Sequence, residues 1–242
     1  MTACIHRTAL YLLLLCAVPA PSFAAEAAPL VLWGTKGIPL TPKADSEHAG
    51  VLWLWKDLQS RQATEPNVFD AGKTDMPAPT LKQWGNLVER FPAMKPEEQL
   101  RNINGFFNRW SGKEDRVAYG RDEYWASPQD FLKSGGGDCE DYALIKYYAL
   151  RELKAKVDSM WLVLVTDVSR GAEHAVLLVT VGNKSFILDN LSSPVYLIMP
   201  VEAYRNIYVP RYALSDTDAL SFVPRTASAG EKSASGQTGE AK

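Results

Sequence analysis

The chain has 242 residues, with 26 Lys and Arg against 28 Asp and Glu, for a formal net charge of −2. A balance so near zero provides no broad field for a polyanion or an anionic membrane surface, which excludes nucleic acid and lipid headgroups as principal partners. The length suits one domain with a sizeable core.

Met1 to Arg7 carry one basic side chain, Arg7; an apolar run from Ala9 to Val18 follows, then Pro19, Pro21 and Ser22-Phe23-Ala24. This is the layout of a secretory signal peptide ending near Ala24. The apolar run is about half of the ~20 residues a membrane-spanning helix needs. A lipid anchor on Cys16 is disfavoured because Leu15 is too bulky for such a site. The mature protein is therefore expected to be exported and to keep one of the three cysteines, Cys139, since Cys4 and Cys16 leave with residues 1–24. A lone thiol in a compartment that favours disulfides has no internal partner and is exposed to oxidation, which marks it as a candidate nucleophile.

Beyond the leader, residues 25–225 read as a single folded domain. Val51 to Gln62 and Leu81 to Phe91 suit helices, separated by a loop containing Pro66, Pro77 and Pro79. Lys95-Pro96-Glu97-Glu98 opens another helix, because proline fits the first turn and acids there complement the dipole. Leu100, Ile103, Phe107 and Trp110 recur along it at helical spacing. A short turn at Pro128–Lys133 precedes Gly135-Gly136-Gly137-Asp138, where Asp138 is a good N-cap. Tyr142 to Leu153 is apolar on nearly all sides except Lys146, Arg151 and Glu152, the pattern of a buried helix with Cys139 on its first turn. Trp161–Val165, His174–Val181 and Ser185–Leu188 are rich in strand formers, and Gly182-Asn183 is a turn between the last two. Thr226 to Lys242 has no aromatic residue and too little apolar surface to offset ordering entropy, so it reads as a disordered tail.

A helix N-terminus lowers a thiol's pKa and supplies amide donors for an oxyanion; Cys139 there needs a base and an orienting acid. His174 and Asp189 satisfy the parity of an antiparallel hairpin. A two-residue loop at Gly182-Asn183 sets Asp189 opposite Val176, and a four-residue loop sets it opposite His174. In both registers His174 and Asp189 share a face. The expected roles are nucleophile for Cys139, base for His174 and orienting acid for Asp189. Tyr124 and Trp125 are candidates for a second oxyanion donor. Asp138, Glu140 and Asp141 place three carboxylates around the thiol, which opposes ionisation. Either they cap the helix dipole, or a hard cation such as calcium binds among them and removes the conflict.

Three stretches, Asn104-Gly105-Phe106-Phe107-Asn108, Asp122 to Pro128 and Gly136-Gly137-Asp138-Cys139-Glu140-Asp141-Tyr142-Ala143, resemble the bacterial transglutaminase-like cysteine proteinases. Within these they are similar to the LapG-type periplasmic adhesin-processing proteases. His174-Ala175-Val176-Leu177 and Leu188-Asp189-Asn190-Leu191 match the later motifs, so the resemblance runs from about Leu81 to Val223. Ala175 departs from the family's His-Met-Val-Leu pattern. The resemblance implies an α+β, papain-like (transglutaminase-like) fold, with N-terminal helices and the nucleophile helix packed on an antiparallel sheet. It also implies a Cys139–His174–Asp189 triad and calcium dependence through Asp138, Glu140 and Asp141. A large surface adhesin is the implied substrate, with a periplasmic setting and a sequestering inner-membrane receptor for cyclic-di-GMP. Acyl transfer or peptidoglycan amide hydrolysis on the same triad, and a non-catalytic calcium-stabilised binding protein, are the alternatives.

Overall fold

The computed structural model describes residues 30–40, 46–70, 74 and 76–222. The expected leader, Cys4, Cys16 and the expected tail lie outside these residues. Among them the helices are α1 (Ser46–Gln62), α2 (Ala78–Arg90), α3 (Pro96–Phe107), α4 (Asp115–Ala118), α5 (Pro128–Ser134) and α6 (Cys139–Glu152). The strands are β1 (Val31–Leu32), β2 (Thr35–Lys36), β3 (Ile38–Pro39), β4 (Ser111–Gly112), β5 (Gly136–Gly137), β6 (Ser159–Asp167), β7 (Ala172–Val181), β8 (Lys184–Leu188), β9 (Met199–Pro200), β10 (Tyr208–Leu214) and β11 (Ala219–Ser221).

Seven strands form one sheet in the order β3-β11-β10-β6-β7-β8-β9, and every pairing in it is antiparallel. The architecture is the expected α+β one, with helices preceding a meander and packed on its face. Side chains alternate across the sheet as a period of two requires. Leu162, Ala175, Leu177, Val179, Phe186 and Leu188 join the large core under the helices. Val163, Val165, Val176, Leu178, Ile187 and Tyr208 form a smaller cluster on the other face, which Leu32 and Phe222 complete.

The helix starts follow local chemistry. Pro96 begins α3 with Glu97 and Glu98 in its first turn. Ser127 caps α5 by accepting from Asp130 N–H, and Gly135 ends it in the left-handed conformation at φ 75°. Asp138 occupies the N-cap of α6 but makes no side-chain cap hydrogen bond, so the expected capping contact is not formed. Packing holds the helix instead: Leu144, Ile145 and Leu150 are at most 1% exposed. Each is worth about 1.5–3 kcal/mol, against roughly 1 kcal/mol for a cap. Lys146, the polar exception on this helix, is fully buried too.

Candidate active site

The glycine run shapes the entrance to α6. β5 pairs in parallel with β4, Ser111 opposite Gly136 and Gly112 opposite Gly137. A Cβ on Gly136 would lie 1.8 Å from Ser111 O, and one on Gly137 would lie 2.1 Å from Asp141 Oδ2. Gly136 also sits at φ 139°, outside the range of side-chain-bearing residues. These two glycines thus admit neighbouring protein atoms, the Ser111 backbone at Gly136 and the Asp141 side chain at Gly137. Parallel pairing also carries the two chains onward side by side. Lys113 N–H donates to Gly137 O at 2.9 Å, and Asp115 arrives beside Asp138.

Asp115, Asp138 and Glu140 consequently converge, each offering an oxygen within 4.8 Å of the others. Asp115 carried no motif or periodicity in the sequence that would have singled it out. Asp115 Oδ1 and Asp138 Oδ1 are buried with no hydrogen-bond partner among the described residues. Burial, then the Asp138 charge, pushes the Asp115 carboxyl up to about 6. Burial and the same neighbour push Glu140 well above the ordinary range, and burial raises Asp138. Asp141 stands outside this trio. Its Oδ1 accepts from Ala126 N–H at 2.7 Å and its Oδ2 from Tyr119 Oη at 2.8 Å, which ties the 124–127 segment to α6. Burial and Asp138 still raise its carboxyl to about 8.

Cys139 follows at the first turn of α6, half-buried and free of disulfides. Its Sγ–H donates to Glu140 Oε2 at 3.2 Å. Burial, Glu140 and Asp138 hold the thiol well above its usual pKa, against a donation from Ala175 N–H to the sulfur. That donation follows from the hairpin. In β7 the even residues direct their backbone groups at β6, as Thr180 O does in accepting from Asp158 N–H, and the odd residues direct theirs at β8. β8 pairs only as far as Leu188 opposite Leu177, so Ala175 N–H is left for the sulfur. Cys139 thereby meets the sheet where β8 has stopped, next to His174 along β7.

The hairpin adopts the two-residue register, Val181 opposite Lys184, and not the four-residue alternative. His174 and Asp189 share the face of Val176 and Ile187, as parity requires. His174 Nε2–H donates to Asp189 Oδ1 at 3.0 Å, with both side chains buried. A carboxylate only accepts, so Nε2 carries the proton and Nδ1 is left for exchange with a thiol. Asp189 Oδ1 also accepts from Leu191 N–H at 2.8 Å, Oδ2 accepts from Tyr208 Oη at 2.6 Å, and Asn108 Nδ2 donates to the Asp189 carbonyl at 2.7 Å. Burial alone would raise this carboxyl; the His174 bond and charge, with the Tyr208 and Leu191 donors, outweigh it and hold it below the ordinary value.

Cys139, Asp138, Glu140, His174 and Trp125 line one cavity of about 460 Å³, flanked by Val51 and Leu54 of α1 and Arg211 of β10. Arg61 of α1 fixes the Trp125 loop, donating from Nη2 to Trp125 O at 2.6 Å and from Nη1 to Tyr124 Oη at 2.8 Å. Tyr124 Oη in turn donates to Asp130 at 2.6 Å, so that hydroxyl is committed away from the cavity. Of the two residues considered as a second oxyanion donor, Trp125 is the one on the cavity wall.

A family model described as bacterial transglutaminase-like cysteine proteinase matches residues 89–219. The calcium-bound structure of LapG from Legionella pneumophila is 26% identical, with 69% of this chain and 86% of that one covered and a TM-score of 0.52. The EGTA-treated LapG structure is 25% identical over 81% of this chain and 88% of that one, with a TM-score of 0.51. No curated protein matches significantly. Among the described residues no helix is long and apolar enough to cross a membrane. With its helices packed on an antiparallel sheet and more than half of its length matching one family, the chain belongs to the bacterial transglutaminase-like cysteine proteinases.

Proposed function

We propose that the protein is a calcium-dependent cysteine endopeptidase of the periplasm that cuts the N-terminal region of a large surface adhesin and so controls attachment in biofilms. The observation that carries the reading is the buried His174–Asp189 pair, whose His174 lines the same cavity as Cys139. The Cys139 sulfur attacks the scissile carbonyl carbon while its proton passes to His174 Nδ1. Asp189 keeps the ring in the tautomer that accepts there. The oxyanion takes a hydrogen bond from the Cys139 amide at the start of α6, and Trp125 Nε1, which donates to Glu123 Oε1 at 3.3 Å in this structure, would turn to it as the second donor. His174 then returns the proton to the leaving amine, and water hydrolyses the thioester with His174 again as base.

Asp138 and Glu140, with Asp115, fit a hard cation: three carboxylates converge, and two of their buried oxygens are unpartnered. Asp141, expected in the same role, braces the loop that frames them. Held by these residues, calcium would supply positive charge offsetting the carboxylates that oppose a thiolate at Cys139. The similarity to LapG in calcium-bound and EGTA-treated forms supports that choice of ion. Export rests on the leader at residues 1–24. The adhesin substrate and control by an inner-membrane cyclic-di-GMP receptor rest on the resemblance to LapG-type proteases.

The test is incubation of the purified N-terminal region of the host's largest surface adhesin with the wild-type protein and with Cys139→Ser, in calcium. A single cut that is lost in the variant supports the reading, and an intact adhesin refutes its substrate assignment. Diversion of product by hydroxylamine with other amide substrates would favour acyl transfer or peptidoglycan amide hydrolysis on the same thioester. A biological phenotype that survives Cys139→Ser would favour the non-catalytic binding protein.

A further inference from the structure

We infer that Tyr208 is a positioning residue for the His174–Asp189 pair, held in place by an aromatic stack that the N-terminal hairpin completes. This rests on the triad reading above and adds a fourth member from a different strand.

Tyr208 opens β10, which pairs with β6, the strand on the far side of β7 from β8. It therefore approaches Asp189 across the sheet face opposite the large helical core and not along the hairpin that carries the pair. Its hydroxyl donates to Asp189 Oδ2 at 2.6 Å, and both groups are buried. Its ring centroid lies 5.7 Å from that of His174, with the planes at 52°. One side chain thus touches both members of the pair: it fixes the carboxylate oxygen that His174 does not use, and it flanks the imidazole.

A lone carboxylate can rotate about its terminal torsion, which is broad and two-fold. With Oδ1 receiving His174 Nε2 and Leu191 N–H, and Oδ2 receiving Tyr208, that rotation is closed off. Burial, followed by the bond to Asp189, pushes the phenol above its ordinary range, so it remains a donor at any working pH.

Tyr208 is itself constrained. Tyr204 stacks on it at 4.9 Å with the planes 12° apart, and Trp33 meets it edge-on at 6.4 Å. Trp33 lies in the β1–β2 turn, and its Nε1–H donates to Val201 O at 2.8 Å, in the 3₁₀ turn that carries Tyr204. Residues 31–36 lie outside the family-matched stretch of 89–219. The N-terminal hairpin of this chain therefore braces the acid–base pair from behind the sheet.

The experiment follows iodoacetamide alkylation of Cys139 against pH in calcium, for wild type, Tyr208→Phe, Asp189→Asn and the double variant, with melting temperature measured for each. A positioning role predicts that Tyr208→Phe moves the onset of fast alkylation to higher pH and lowers the plateau rate by roughly tenfold or more, the scale of a lost supporting contact at a site. In the Asp189→Asn background the same change has no further effect, because Tyr208 acts through Asp189. A wild-type onset and rate in Tyr208→Phe, even with a lowered melting temperature, would reduce the residue to a structural role and overturn the inference. Equal loss in both backgrounds would overturn it as well. If Asp189→Asn itself alkylates as wild type does, the triad reading fails rather than this addition to it. Should Tyr208→Phe not fold, Tyr204→Leu carries the test. It predicts the same shift of onset at smaller amplitude, and an unchanged onset there overturns the inference.

Discussion

The two sides of the cavity are built on opposite electrostatic plans. On the β7–β8 side, Asp189 is a buried carboxylate whose oxygens receive three donors, from His174, Leu191 and Tyr208, and its pKa is depressed. On the α6 side, Asp115, Asp138 and Glu140 are crowded carboxylates with two unpartnered buried oxygens, and their pKa values are raised. Both regions bury negative charge, which is costly unless it is compensated. The first is compensated by the protein's own donors. The second leaves two oxygens without such donors: protons held by the raised carboxyls relieve part of its charge, a bound cation would relieve the rest, and the carboxylates oppose ionisation of the neighbouring thiol. On the proposed reading the acid–base pair is complete in the fold itself, whereas the nucleophile depends on a cation supplied from outside.

That contrast can be broken most forcefully on the self-sufficient side. Asp189→Asn keeps the shape but offers His174 Nε2 an amide, and it removes the stabilisation of the imidazolium. Turnover should fall by about 10³–10⁴-fold with little change in substrate KM. A wild-type kcat would remove Asp189 from the mechanism. On the dependent side, Asp115→Asn removes one charge from the trio while sparing its volume. Calcium affinity, read by titration calorimetry, should weaken by about tenfold or more, and unchanged affinity would place the ion elsewhere.

The gentlest test compares stability with pH. In chelator, the raised pKa values of Asp115 (about 6) and Asp141 (about 8) mean that the folded protein holds protons which the unfolded chain has released above about 4. Stability contributed this way is present below the unfolded value and is lost as pH rises. Melting temperature in chelator should therefore decline from about pH 4 to pH 8, and calcium should flatten the decline. Asp189 predicts the opposite slope, a loss confined to acid below the ordinary carboxylate range. A chelated melting curve that rises through neutral pH would contradict the raised carboxyls assigned to Asp115 and Asp141.

How much of this the residues themselves announced differs between the two sides as well. The hairpin was legible because parity is rigid. Once Gly182-Asn183 forms the turn, His174 and Asp189 share a face for a loop of two or of four residues, though a three-residue loop would part them. The start of α6 was legible because a helix cannot contain Gly135-Gly136-Gly137 and because the residues after Asp141 are apolar all round. Asp115 was illegible: it lies on a four-residue helix with no period, 23 positions before Asp138, and only the parallel contact of β4 with β5 unites them. Tyr208 was missed for a related reason. Pro210 and a register shift between Pro210 and Tyr212 break the alternation of β10, so the strand does not advertise itself. The N-terminal extension of α1 to Ser46 went unread as well, although Glu47 there accepts from Arg211 at 3.0 Å and Tyr212 at 2.8 Å and so closes one end of the cavity. Local periodicity reported the elements, and long-range contacts decided which carboxylates and donors meet.

The measurement that bears most directly on the central claim, a built-in acid–base pair waiting on a cation-dependent nucleophile, needs no substrate. Iodoacetamide alkylation of Cys139 is followed from acid to alkaline pH, in calcium and in chelator, for wild type and His174→Ala. The account predicts a fast plateau extending well below the ordinary thiol pKa of ~8.5 for wild type in calcium, lost in chelator and lost in the variant. A rate that stays slow until that pKa in calcium, or a plateau that chelator leaves untouched, would contradict it.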